Sequence, residues 1–340
     1  MKKARVTVLI AILVAFVLGG TALFGQQLVY GYVTPGPDTW YLKHVEGFEY
    51  AAKLAGVEVV VLNSDYDVER EITNIRTIID MNVDGMCIFS FNPQGPFIAA
   101  RETDRGGVPL VVADNVGQVL ASEHDIVGCV DFDWEGMGEN VAKYIAENYP
   151  GERVASVMGL FEHVPVQMFR STFEPKLEEL GMNELVAVRD GQYTPDVAAA
   201  QASDLIEAGY DFTILFVFNE EMGAAVVRML EARGLLNNPI KVITTNGAPY
   251  GIDLIRQGKI QYSISTSPGW EGFVTFMMLH AYVTGEIVEY NQQEVLPNTP
   301  ITPETIDDKM LVVPWDVDPV WIELTKLYFP QYDVLGIYPE

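Results

Sequence analysis

The sequence contains few of the residues on which most catalytic and redox chemistry depends. It has two cysteines, Cys87 and Cys129, and four histidines, none with a partner at the spacing of a metal site or a catalytic triad. It lacks a lysine-containing phosphate loop, and prolines fill the turn after Gly31 where a dinucleotide fingerprint needs glycines. We therefore predict no catalytic residues, no metal and no other cofactor.

Both cysteines lie in apolar, strand-like runs, GMCIFSF and IVGCVDF. We expect Cys87 and Cys129 to be buried as small hydrophobic residues. A disulfide between them is the alternative in an exported protein.

Positive charge is also scarce, with 21 Lys and Arg against 47 Asp and Glu, a net charge of -26 and a pI near 4.4. Such a field repels phosphate backbones, so the sequence predicts no nucleic-acid partner.

Residues 1–25 have the pattern of a secretory signal peptide. Three basic residues within the first five precede an apolar run over 6–18, and small residues follow. An uncleaved membrane anchor is the alternative, because the apolar stretch continues almost to Phe24. We expect a protein exported to the periplasm or to another extracytoplasmic location.

From Leu28 the chain alternates short apolar runs with helical patterns, which predicts βαβ units and parallel sheets. The predicted helices cover 40–55, 68–82, 96–106, 134–149, 166–180, 196–208, 220–233, 249–257 and 270–284. The strands come in two tandem series that meet near 130–133 without a Pro- or Ser-rich linker. The fold class is therefore α/β, with two doubly wound parallel-sheet lobes. The residues after Val288 have many prolines and few helical periods, and predict an irregular extension.

Several predicted strands end on polar residues, and the stretch TILFVFNEEMG is the clearest case. Ligands of open α/β sheets bind at the carboxyl ends of the strands. Helix capping explains any single Asn or Asp in such a place equally well. Endings of this kind in both lobes favour a site between the lobes.

The side chains at these endings suit a sugar or polyol. The carboxylate and amides of Asp114, Asn219 and Asn246 can address vicinal hydroxyls, and Arg170 offers a rigid donor fork. Flat apolar faces for a sugar ring would come from Trp40, Tyr41, Phe161 and Tyr193. Core packing is the alternative role of these aromatic residues.

The order and spacing of several motifs resemble the sugar-binding branch of the type I periplasmic binding proteins. The motifs include VDGMCIFS, GVPLVVAD, DWEGMGENVAKYI and VITTNGAPYGIDLIRQGKIQYSISTSPGWEG. The most specific is Asn219-Glu220-Glu221-Met222-Gly223-Ala224, which is similar to the family's Asn-Asp-x-Met-Ala-x-Gly region. The similarity covers about residues 28–310.

The resemblance implies a hinged protein with no enzymatic activity. It would act as a monomer, bind a monosaccharide or polyol by closure of the lobes and deliver it to a membrane ABC permease. The N-terminal lobe would comprise 26–132 and about 268–297, the C-terminal lobe 133–267, and a hinge strand with the irregular extension 298–340. The implied ligand-binding residues are Asp38, Trp40, Tyr41, Ser90, Asn92 and Asp114 from the first lobe, and Phe161, Arg170, Tyr193, Asn219, Asn246 and Thr266 from the second.

The chain departs from the family pattern at several positions. Asn115 occupies a position where sugar binders often have Arg, Asn246 one where they usually have Asp, and Glu220 replaces the commoner Asp. The alternatives to transport are a sugar or furanosyl-signal sensor for a chemoreceptor or sensor kinase, and an exported glycoside-active enzyme that would use Asp38, Asp114 and Glu220.

Overall fold

The computed structural model describes residues 27–114, 119–181 and 183–337. The predicted signal peptide and Asn115 lie outside the described residues. The strands are β1 (Val29–Thr34), β2 (Glu58–Asn63), β3 (Gly85–Phe89), β4 (Leu110–Ala113), β5 (Gly128–Phe132), β6 (Val154–Met158), β7 (Leu185–Asp190), β8 (Ile214–Val217), β9 (Lys241–Ile243), β10 (Ser263–Ser265), β11 (Gln292–Leu296) and β12 (Thr299–Ile301).

The helices follow the predicted segments closely. They are α1 (Thr39–Ala55), α2 (Val68–Asp80), α3 (Gly95–Gly106), α4 (Trp134–Asn148), α5 (Val164–Leu180), α6 (Pro195–Glu207), α7 (Glu220–Ala232), α8 (Pro249–Arg256), α9 (Pro268–Val283) and α10 (Val320–Tyr328), with a 3-10 helix at Pro330–Leu335. No helix of the described residues has the length and apolar character needed to cross a membrane.

The first lobe contains a parallel sheet in the order β11-β5-β4-β3-β1-β2. Helices cover both of its faces, with α1 and α9 packed together and α2 packed against α3. Alternate strand residues therefore enter two separate cores. Cys87 lies in the core that contains α1 and α9, whereas Cys129 lies in the core of α2 and α3. Both thiols are buried and no disulfide joins them, because they point to opposite faces of the sheet.

The second lobe contains a parallel sheet in the order β7-β6-β8-β9. Isolated backbone bridges extend this sheet from β9 to the neighbourhood of β10. The strand β10 pairs antiparallel with β12. The helices α4 and α5 pack together, as do α6 and α7. The predicted α/β class with two parallel-sheet lobes is confirmed.

The chain passes between the lobes after β5, after β10 and between β11 and β12. The segment after β12 then returns to the first lobe, where α10 and the 3-10 helix pack on α9. The prediction of an irregular extension missed this helix. Burial of Trp321, Leu324 and Tyr332 holds it in place, and such tertiary packing outweighs weak local helical signals.

The helices α1 and α9 approach so closely that their contact requires glycine. A Cβ added to Gly47 would overlap the carbonyl oxygen of Gly269, and one added to Gly272 would overlap that of His44. This contact joins α1 to α9, the helix with which the chain returns to the first lobe.

We expect Gly47→Ala to lower the free energy of unfolding by about 1–3 kcal/mol, the usual cost of overpacking. Helix propensity alone predicts the opposite sign, because alanine stabilises a helix interior by about 1 kcal/mol relative to glycine. Urea unfolding measures the difference. Glu49→Ala, at an exposed position of the same helix, is the control and should change stability by less than about 0.5 kcal/mol. A stabilised Gly47→Ala protein would contradict the close contact.

Candidate ligand-binding cleft

A cavity of about 310 Å³ lies between the lobes, at the carboxyl ends of both sheets. Its walls include residues of both lobes and of the C-terminal segment. Seven of the twelve predicted site residues line it: Asp38, Trp40, Tyr41, Asp114, Tyr193, Asn219 and Asn246.

The start of α1 forms one wall. Asp38 caps this helix, since its Oδ1 accepts a hydrogen bond of 2.9 Å from the backbone N–H of Trp40. The indole of Trp40 packs edge-on against Trp315 at a centroid distance of 5.3 Å, and Tyr41 packs edge-on against Phe89 at 4.9 Å. The two aromatic residues after PGPD are thus held in place by other rings.

Asp114 follows β4 in a left-handed backbone conformation, with φ of 53°. Its side chain is 3% exposed, and its Oδ1 lies 3.2 Å from the indole Nε1–H of Trp134. The same Nε1–H donates to Asp131 Oδ1 at 2.7 Å. Burial, and then the neighbouring Asp114 carboxylate, raises the pKa of Asp131 well above its usual range. Trp134 therefore fixes two carboxyl groups at the base of the cleft, one of which lines the cavity.

Glu271 lies behind this pair and is fully buried on α9. Burial, followed by the charges of Asp114 and Asp131, raises the pKa of its carboxyl well above the usual range. Its nearest basic group is His44, whose Nε2 is 3.9 Å away. Burial lowers the pKa of His44 to about 3, so this imidazole is neutral. The raised pKa values favour the protonated, neutral forms of Asp131 and Glu271, so Asp114 is the member of this cluster that offers a carboxylate to the cavity.

The second lobe contributes an aromatic and amide wall. Asn219 caps α7 by accepting a 2.9 Å hydrogen bond from the N–H of Met222. The hydroxyl of Tyr193 is 2.9 Å from His163 Nδ1, and burial lowers the pKa of this histidine. The His163 ring stacks on Phe91 of the first lobe, with centroids 5.3 Å apart. The two lobes are thus in direct contact at one side of the cavity.

Glu220 is fully buried below the turn that presents Asn246. Its carboxylate accepts hydrogen bonds from the backbone N–H groups of Gly247 and Ala248, at 2.8 and 3.3 Å, and from Ser263. Asn246 itself has a φ of 97°. Burial raises the pKa of Glu220 to about 7. The carboxylate that replaces the family's Asp is therefore bonded to the backbone of the turn.

Five predicted site residues do not line this cavity. Ser90 is buried and donates to Glu71 at 2.9 Å, while Asn92 lines a neighbouring cavity of about 260 Å³. Thr266 donates to the carbonyl of Asn246 at 3.1 Å. The structure does not bring these three side chains to the main cavity.

The guanidinium of Arg170, which was predicted to line the cleft, also lies outside the main cavity. The Nε of Arg170 pairs with Glu174 at 2.6 Å, one helical turn further along α5, and the residue lines an outer groove. Its guanidinium lies over the ring of Phe161, 4.5 Å from the centroid. Arg170 and Phe161 thus contact each other instead of the cavity, because the phase of α5 turns this arginine outward.

Several cavity residues were not predicted from the sequence: Tyr66, Phe91, Trp134, His163, Glu221, Tyr250 and Trp315. Trp315 is the least expected, since it belongs to the C-terminal extension. Its Nε1–H donates to the carbonyls of Thr266 and Asn246, at 2.7 and 3.3 Å. The sequence Pro-Trp-Asp around Trp315 does not by itself predict a residue of the cavity. A tryptophan in an irregular segment needs a partner for its N–H, and strand ends supply such carbonyls.

The described residues contain no group of His, Cys, Asp and Glu suited to a metal ion. The cavity instead combines aromatic faces with carboxylates and amides, a set that binds hydroxyl or amino groups.

Comparison with known proteins agrees with this architecture. A family model for the periplasmic binding protein domain matches residues 30–287. The chain belongs to this family, and the resemblance predicted from the sequence is confirmed.

Among individual proteins, the ribose import binding protein of Haemophilus influenzae is 23% identical over 255 residues, which is 72% of this chain and 81% of that protein. The solute-binding protein of Burkholderia graminis in complex with D-arabinose superposes with a TM-score of 0.76 at 16% identity, covering 83% of this chain and 98% of that chain. The arabinose-transporter binding protein of a Shewanella species, bound to L-arabinofuranose, gives a TM-score of 0.74 at 16% identity, with 92% and 99% covered.

Glu220 should make stability depend on pH in a defined direction. Because its pKa rises from 4.5 to about 7 on folding, the folded protein binds more protons than the unfolded chain in that window. The contribution of this group to stability therefore falls as pH rises from 4.5 to 7, by on the order of 3 kcal/mol. Glu220→Gln removes this ionisation, so its stability relative to the unmodified protein should increase with pH.

Urea unfolding at pH 5 and pH 7.5 tests the effect. Glu231→Gln, at the exposed end of the same helix, is the control and should follow the unmodified protein. A stability difference between Glu220→Gln and the unmodified protein that does not vary with pH would show that Glu220 stays charged in the folded state.

Proposed function

We propose that this protein is an extracytoplasmic solute-binding protein of an ABC transporter, which binds a monosaccharide or related polyol between its lobes. The observation that carries the proposal is the cavity itself. It lies between the two lobes and combines stacked aromatic rings with oxygen-rich side chains. Its volume of about 310 Å³ is at the small end of the range of about 300–1,000 Å³ for ligand pockets. A single sugar ring suits such a space.

Ligand binding would be coupled to the relative position of the lobes. The cavity walls come from both lobes, and Phe91 and His163 contact each other across the cleft. A ligand that bonds to both walls stabilises the closed form in proportion to its preference for that form. The chain crossings after β5, after β10 and between β11 and β12 would act as the hinge.

The relatives support the same reading. The names of the Haemophilus protein and of the two structures refer to ribose import, D-arabinose and L-arabinofuranose. By analogy, we expect the closed protein to deliver its solute to a membrane permease as a monomer, after export directed by residues 1–25. Glu220 argues against the glycoside-active alternative, because hydrogen bonds to the backbone and Ser263 occupy its oxygens.

Asp114→Asn tests whether the base of the cleft binds the solute. The change keeps the shape and tolerates the left-handed backbone, but removes the charge that strengthens hydrogen bonds to ligand hydroxyls. We expect a loss of about 1.5–3 kcal/mol in binding free energy, measured by calorimetry with the best ligand from a panel of pentoses, hexoses and polyols.

Arg170→Ala is the matched control, because the structure places Arg170 outside the cavity. It should change the binding free energy by less than about 0.5 kcal/mol. Unchanged affinity in Asp114→Asn, or a large loss in Arg170→Ala, would contradict the assignment of the site.

A further inference from the structure

The side chains that line the cleft carry negative charge and no fixed positive charge. The main cavity is lined by Asp38, Asp114 and Glu221, and also by Glu220, whose oxygens bond to the turn at Gly247 and Ala248. No lysine or arginine belongs to its described lining. The neighbouring cavity shares Tyr66, Phe91 and His163 with it and adds further acidic groups, again without a described lysine or arginine. The acidic character therefore extends along the whole cleft.

Within the part of the chain that the structure describes, these carboxylates have no ion-pair partner. Ion pairs are common elsewhere among the described residues, as between Lys43 and Asp316 or Arg256 and Asp307. None of the ion pairs of the described residues includes a carboxylate that lines either cavity. The lysines and arginines of these ion pairs lie outside both cavities, so the carboxylates of the cleft keep their negative charge.

Two of the carboxylates that line the main cavity come from opposite lobes. Asp38 begins α1 in the first lobe, and Glu221 lies in the first turn of α7 in the second. Burial, and then the charge of Asp38, raises the pKa of Glu221. Approach of the lobes brings these like charges together, which opposes closure unless a positive group lies between them.

The aromatic lining suits a positive group as well. The rings of Trp40, Tyr66, Trp134, Tyr250 and Trp315 are among those that face the cavity, and the face of an indole or phenol ring attracts an ammonium group. His163 is only 7% exposed and lines the cavity, and its Nε2 has no hydrogen-bond partner among the described residues. Because burial lowers its pKa, this imidazole adds a polar atom for the ligand without adding positive charge.

From these observations we propose that the solute is cationic: a sugar or polyol that bears a protonated amino group. The inference rests on the proposed function, since it names the class of ligand for the same cleft. A neutral sugar would leave the like charges of Asp38 and Glu221 facing each other without a positive partner. An ammonium group between Asp38 and Glu221 relieves that repulsion and forms charge-assisted hydrogen bonds. Phosphorylated sugars and sugar acids would be repelled.

Calorimetry on the purified protein with matched ligands tests the proposal. Each set contains a neutral hexose or inositol, its amino-deoxy analogue and the neutral N-acetylated form of that analogue. Choline, a cation without a sugar ring, completes the panel. We expect at least one amino compound to bind about tenfold or more tightly than both neutral forms. Increasing the salt concentration from 50 to 500 mM should weaken the amino compound more than its neutral parent.

The variant Glu221→Gln addresses the charge directly. It should reduce the ratio of amino to neutral affinity about tenfold, whereas Glu231→Gln, at the opposite end of the same helix, should leave the ratio unchanged. Glu231 is exposed and pairs with Lys259 at 2.8 Å, so its substitution controls for the change in net charge.

The outcomes separate the two proposals. Neutral sugars that bind as tightly as their amino analogues, or an affinity ratio that Glu221→Gln does not alter, overturn the inference and leave sugar binding intact. Choline as the only ligand that binds overturns the proposed sugar site and, with it, the inference of an amino sugar. A panel in which nothing binds overturns both.

Discussion

The structure depends on the geometry of parallel strands, whose carboxyl ends all lie at one edge of a sheet. Two such sheets face each other here, and the crossings after β5, after β10 and between β11 and β12 keep their edges opposed. The turns that follow the strands therefore project into the space between the lobes. The cavity, the left-handed backbone of Asp114 and Asn246, and the caps of α1 and α7 all result from that arrangement.

The same geometry concentrates acidic groups where solvent is scarce. Asp131 and Glu271 are buried behind Asp114, and each has a pKa raised well above its usual range by burial. Glu220 differs, because two backbone N–H groups and Ser263 bond to its oxygens. Asp38 also accepts a backbone hydrogen bond, from Trp40, yet it lines the cavity together with Asp114 and Glu221.

Most of the fold was predictable from the sequence, but only part of the site was. Hydrophobic runs interrupted by helical periods identified the strands and helices from β1 to α9, because both faces of each sheet are buried and the signal is strong. The polar residues predicted at strand ends include Asp114, Asn219 and Asn246, and the structure places all three in the cavity wall. Arg170 does not line the cavity, because its position around the axis of α5 directs the side chain outward to Glu174. Tyr66 and Trp315 come from loops whose paths no local pattern specifies.

Trp315 has a consequence for the order in which the protein becomes functional. Its indole packs against Trp40 and bonds to the carbonyls of Thr266 and Asn246, so the first helix and the last tenth of the chain build one wall together. The cavity cannot close until the C-terminal segment has emerged and docked. A chain that ends before Trp315 would therefore lack part of one wall of the cleft.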